Sequence, residues 1–115
     1  MTKEQMKRWV RLTRDLANEI HQTAIEKGWW DDPRNDGELI ALCHSELSEA
    51  LEALRHGNPP DDKIPECNGA EAELADTIIR ILDMSAARSW DVPGALIAKI
   101  EMNKTRPVRH GGKKF

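Results

Sequence analysis

The chain has 115 residues, with 17 Lys or Arg against 20 Asp or Glu, a formal net charge of −3, four Trp, one Phe and no Tyr. That length fits a single domain spanning residues 1–115, large enough for a core yet small enough that oligomerisation would help bury apolar surface. The near-balanced charge argues against a basic nucleic-acid binder and an acidic disordered chain, and the charged amphipathic start predicts neither a secretory leader nor a membrane span.

The helix punctuation is legible. Thr2 with Gln5, Asn35 with Glu38 and Asn68 with Glu71 each read as a capping box, in which two polar side chains satisfy backbone N–H groups at a helix start. Gly28 and Gly57 read as helix stops. The first helix is expected over about 3–27, with Met6, Val10, Thr13, Leu16, Ala17, Ile20 and Ala24 as its core stripe. The second is expected over about 36–56, with the stripe Ile40, Cys43, Leu47, Ala50, Leu51 and Leu54. Gly57 to Pro65 holds three prolines and cannot continue it. A third helix is expected over about 69–89, and Asp91 with Pro93 opens a fourth that runs to about Lys104, before a basic tail over 103–115. No strand-like alternation appears. The expected fold is all-α, a four-helix bundle-like protomer that oligomerises through helix packing. Cys43 and Cys67 lack metal-ligand spacing and are expected as reduced thiols in a cytoplasmic protein.

The chemistry is carried by Glu46 and Glu49 in the second helix and Glu73 and Asp76 in the third. Residues three apart project from one helix face, so two antiparallel helices would bring two carboxylate pairs together. Four converging carboxylates repel and raise one another's pKa unless a cation sits among them. An oxygen-only donor set suits Mg²⁺, with Mn²⁺ as a substitute, and a Mg²⁺ shell is commonly shared with phosphates. Solvated acidic faces are a competing reading, in which Arg80 would simply pair with Asp76 four residues earlier. Glu46 favours a site, since it flanks the apolar stripe beside Cys43 and Ala50. No P-loop is present, Arg34 and Cys43 spoil an EF-hand-like run from Asp32, and no His stands three residues after a Glu as in di-iron bundles.

Three segments, S-E-L-S-E-A-L-E-A at 45–53, E-L-A-D at 73–76 and K-I-E-M-N-K-T-R-P at 99–107, resemble the MazG-like all-α nucleoside triphosphate pyrophosphohydrolases, relatives of dimeric dUTPase and of the dCTP pyrophosphatases. The resemblance implies a dimer or tetramer that converts an NTP to NMP and pyrophosphate, with Glu46, Glu49, Glu73 and Asp76 as the Mg²⁺ ligands. It also implies substrate contacts at Lys99 and Asn103, and a base site around His21 and Trp30. Ser45 stands where many members carry a further acid, so the general base is left between Glu49, Glu52 and metal-bound water. Lys99, Lys104, Arg106 and Arg109 are expected to neutralise phosphate oxygens. Trp29 and Trp30 suit either packing or base stacking, and Asp83 reads as a surface or supporting group. The alternative from another class is a non-catalytic helical oligomer that binds a nucleotide or a protein partner.

Overall fold

The computed structural model describes residues 1–108. Its helices are α1 (Lys3–Glu26), α2 (Asp36–Arg55), α3 (Gly69–Ala87) and α4 (Val92–Lys104), and the described residues contain no strand. The boundaries follow from the caps. Thr2 and Asn68 close full capping boxes with Gln5 and Glu71. Asn35 caps α2 by accepting from the Glu38 amide at 2.8 Å, but the Glu38 carboxylate turns to Arg34 at 2.9 Å, so the expected reciprocal bond is not made.

At the ends of α1 and α2, Gly28 and Gly57 adopt φ values of 86° and 81°. The next amides, of Trp29 and Asn58, reach back to the Ala24 and Ala53 carbonyls, which completes a Schellman turn each time. The third helix ends by the same pattern, Trp90 N–H bonding the Ser85 carbonyl, but with Ser89 at φ 56°. No glycine marks that stop, and α3 ends two residues before the expected position.

α3 packs against both α1 and α2, while α4 packs against α1. The helices therefore stand side by side in the order α2, α3, α1, α4. Small residues line the α2–α3 seam. A Cβ placed on Gly69 would lie 2.9 Å from the Cβ of Ala53, and Ala50, Ala70 and Ala72 are buried. That close approach draws the carboxylates of the two helices to one place.

The expected stripe of α2 requires correction. Leu39, Glu46 and Ala50 are its buried residues, whereas Ile40, Leu47, Leu51 and Leu54 are 45–56% exposed. Leu16 of α1, expected in its core stripe, is exposed as well, as are Ile78 and Ile81 of α3. Periodicity finds an apolar face but does not say which neighbour covers it. Among the described residues the buried apolar side chains are few and mostly small: Ala17, Leu39, Ala50, Ala70, Ala72, Leu82 and Met84, with Pro93 of α4. A Cα radius of gyration of 16.6 Å exceeds the value of about 13 Å typical of a compact domain of this length. No described helix is long and apolar enough to cross a membrane.

Between α2 and α3 the chain forms an ordered loop. Pro60 and Asn68 pair as an isolated antiparallel bridge, and Asp61 Oδ2 accepts from the Lys63 and Ile64 amides at 2.9 and 3.0 Å. This turn holds the backbone at Lys63.

Candidate functional site

α3 presents Glu73, Asp76, Arg80 and Asp83 at steps of three, four and three residues, which places all four on one face. α2 supplies Glu46 and Glu49 opposite the first of them. One carboxylate oxygen from each of Glu46, Glu49 and Glu73 lies within 4.8 Å of the others. Asp76 is not in that trio, although the charge of Glu46 helps to raise its pKa after burial. Three of the four expected ligands thus converge closely and the fourth stands beside them.

The trio is electrostatically unbalanced. Glu46 is 8% exposed, and its Oε2 and the Oε2 of Glu73 are buried with no hydrogen-bond partner among the described residues. Orphaned acceptors of this kind are costly unless something outside the chain satisfies them. Burial, then the neighbouring Glu49 and Glu46 carboxyls, push the pKa of Glu73 up to about 7. Burial would raise Glu46 too, but the hydrogen bond from Arg80 and the adjacent Glu73 and Glu49 carboxyls outweigh it and hold Glu46 below its usual range.

Arg80 does not pair with Asp76, as helix spacing alone would have it. Its Nε donates to Glu46 Oε1 on the other helix at 2.9 Å. Its guanidinium also lies 5.7 Å from the Trp29 ring, and Arg34 approaches the same ring at 5.6 Å. Both are cation–π distances.

Beside the acids opens a cavity of about 420 Å³. Glu46, Asp76 and Arg80 line it, Ile20, Ala24, Leu39, Leu42 and Ile79 make its apolar walls, and Trp29, Trp30 and Asp83 complete it. Asp83 is no surface group. Its Oδ1 accepts from His21 Nδ1 at 2.7 Å, and the Trp30 indole N–H is shared between its two oxygens at 3.1 Å each. A carboxylate is acceptor-only, which puts the proton of His21 on Nδ1. The rings of His21 and Trp30 meet edge to face at 5.2 Å. The expected pair is therefore brought together, and the element that joins it is Asp83. The turn bearing the indoles is tied down by Arg34 Nε to the Trp29 carbonyl at 2.7 Å and by Arg88 Nη2 to the Arg34 carbonyl at 2.6 Å.

The cations of this cavity differ from those expected. Lys99, Asn103, Lys104 and Arg106 lie exposed on α4 and the turn after it, and none lines the cavity. Lys104 pairs with Glu101 at 2.8 Å. Arg109 falls outside the described residues. The physical reason is that α4 packs on α1, on the far side of the molecule from α2. Lys27, Arg34, Lys63 and Arg80 line the cavity instead, and Lys27 and Lys63 make no ion pair among the described residues. The stripe at 73, 76, 80 and 83 was the sequence signal for Arg80 and Asp83, since polar residues at steps of three and four on a helix with an apolar opposite face mark a second functional face. Nothing in local sequence marked Lys63, which a loop delivers.

Of the two side chains considered as general base, Glu52 pairs with His56 at 3.2 Å on the outer face, whereas Glu49 belongs to the trio. Ser45 turns its hydroxyl back to the Leu42 carbonyl. Cys43 and Cys67 are free thiols.

Comparison with protein-family models, with curated proteins and with solved structures finds no match to this chain. The functional reading therefore rests on the site itself and on the motifs that gave the resemblance.

Proposed function

We propose that the chain is a metal-dependent nucleoside triphosphate pyrophosphohydrolase of the MazG-like kind, acting on (d)NTPs in nucleotide-pool house-cleaning. The observation that carries the reading is the pair of buried, unpartnered oxygens, Glu46 Oε2 and Glu73 Oε2, the first on a residue that lines a cavity of about 420 Å³. They fit a hard divalent cation such as Mg²⁺, or Mn²⁺ in its place, because the donors are all oxygens and lie within one small volume. Glu46, Glu49 and Glu73 would hold it, with Asp76 alongside. When bound, the ion supplies neutralisation of the phosphate oxygens and a more acidic water.

The chain's own groups supply the rest. Lys27, Lys63 and Arg80 face the cavity and can balance phosphate charge. Trp29 and Trp30 offer ring faces and edges for a base. Glu49, the exposed member of the trio, would accept the proton of the attacking water. Water adds to the α-phosphorus, the bond to the α–β bridging oxygen breaks, and the electron pair leaves on pyrophosphate.

The exposed apolar residues Ile40, Leu47, Leu51, Leu54, Leu74, Ile78 and Ile81 of α2 and α3 support a homodimer or homotetramer, because so many large apolar side chains at helical spacing on two neighbouring helices suit helix packing against another copy. An assembly would also give the α4 cations a route to the cavity of another copy. Two free thiols agree with a cytoplasmic location.

The product pattern tests the reading. Incubation of a panel of NTPs and dNTPs with the protein and Mg²⁺, resolved by chromatography, should give NMP and pyrophosphate in equal amounts. NDP with inorganic phosphate, or no hydrolysis, would sink it and leave a nucleotide- or protein-binding helical oligomer as the better account.

A further inference from the structure

The end of the cavity away from the acid trio is defined by one carboxylate. Asp83 stands seven residues after Asp76 on the same face of α3, about 10.5 Å along the helix axis, a span like that between the base edge and the α-phosphate of a nucleotide. Both residues line the same cavity, and between them the helix contributes Ile79 and Arg80 to its wall. The Asp83 side chain is only 18% exposed. Its Oδ1 is occupied by two donors, the His21 ring and the Trp30 indole. Its Oδ2 takes only a share of the Trp30 N–H, which leaves it acceptor capacity.

We propose that Asp83 selects nucleotides whose base carries an exocyclic amino group, and rejects those with a carbonyl oxygen at that place. The inference rests on the reading of the cavity as a nucleotide site. A carboxylate oxygen has no hydrogen to give. An amino group meets it as a donor, whereas a carbonyl oxygen sets two acceptors against each other in a partly desolvated pocket and leaves both unpaired. The hydrogen bonds from His21 and Trp30 fix the orientation of the carboxylate, which resists its turning away to avoid the mismatch. Such sites discriminate strongly when fully closed; with Asp83 partly open to water, the preference expected is about tenfold or more.

The test is binding, measured by calorimetry in the presence of Mg²⁺ with non-hydrolysable α,β-methylene triphosphates. Two matched pairs are compared, cytidine with uridine and adenosine with inosine. The wild-type chain should bind the amino member of at least one pair about tenfold or more tightly, and Asp83→Asn, whose amide can donate as well as accept, should remove most of the difference. Trp30→Phe keeps the ring but removes the orienting N–H and should narrow it. Equal affinities within both pairs in the wild-type chain, where no variant has to fold, would overturn the proposal. So would discrimination that survives Asp83→Asn in a variant with wild-type melting. Discrimination without hydrolysis would sink the pyrophosphohydrolase reading and leave this proposal standing; hydrolysis without discrimination would do the reverse.

Discussion

Arg80 on α3 donates through Nε to Glu46 Oε1 on α2 at 2.9 Å, which makes a cation of the chain itself the counter-charge to the most buried carboxylate of the site. The bond ties the two helices at the point where the acids meet. It also leaves Glu46 with one satisfied oxygen and one orphan.

Two neutralising substitutions should therefore differ in sign. Glu49→Gln removes a repulsive charge from an exposed position, so turnover should fall by orders of magnitude while metal-free melting stays level or rises. Glu46→Gln strips Arg80 of a part-buried charged partner and should cost about 1–3 kcal/mol of stability as well as activity. Thermal melting of both variants beside an activity assay checks this, and equal melting shifts would speak against the role given to Arg80.

Divalent metal should stabilise the fold. An ion that binds only the native chain contributes RT ln(1 + [L]/Kd), about 2.7 kcal/mol at a hundredfold excess over Kd. The melting temperature should rise with millimolar Mg²⁺ or Mn²⁺, and the rise should vanish in a Glu49→Gln, Glu73→Gln double variant. A melting curve indifferent to both ions would remove the metal site.

The raised Glu73 pKa gives a pH dependence with a definite sign. Its folded value of about 7 lies above the ordinary 4.5, so between these values the folded chain holds a proton that the unfolded chain has released. The contribution of this group to metal-free stability is accordingly greatest below about 4.5, falls as pH rises toward 7 and levels off above. Mn²⁺ affinity should run the other way, rising through the same window as the proton gives way to the ion. Melting and Mn²⁺ titrations across pH 5–8 measure both, and Glu73→Gln should flatten each slope.

Ser89→Gly should stabilise the protein by about 0.5–1 kcal/mol, because a left-handed backbone costs a side-chain-bearing residue more than glycine loses in chain entropy. Ser89 holds φ 56° at the end of α3 while the other two Schellman turns use glycine. Chemical denaturation of the variant decides it.

The exposed faces of α2 and α3 should be covered in solution. Wild-type protein should elute as a dimer or larger by size exclusion with light scattering, and Leu51→Glu combined with Ile78→Glu should lower its mass. A monomeric wild type would leave the apolar surface unexplained.

The helices were legible because their ends are written in local chemistry: Thr2, Asn35 and Asn68 open them, and Gly28 and Gly57 close two. The end of α3 was placed too late because Ser89 does the work of glycine without its sequence mark. The carboxylate pairs could be read for a similar reason, since spacing within a helix fixes which side chains share a face. What spacing does not fix is the neighbour. It could not tell that Arg80 reaches Glu46 across the seam, that the apolar stripe of α2 faces outward, or that α4 carries its cations away from the cavity.

Glu73, Asp76, Arg80 and Asp83 sit on a single unbroken helix, and this works as a ruler. No hinge separates the acid end of the cavity from the Asp83 end, so the two cannot be tuned apart by loop motion. A one-residue insertion between Arg80 and Asp83 would swing the latter through about 100° and uncouple the ends while leaving each set of side chains intact. A guest molecule has to match the graduation of the helix.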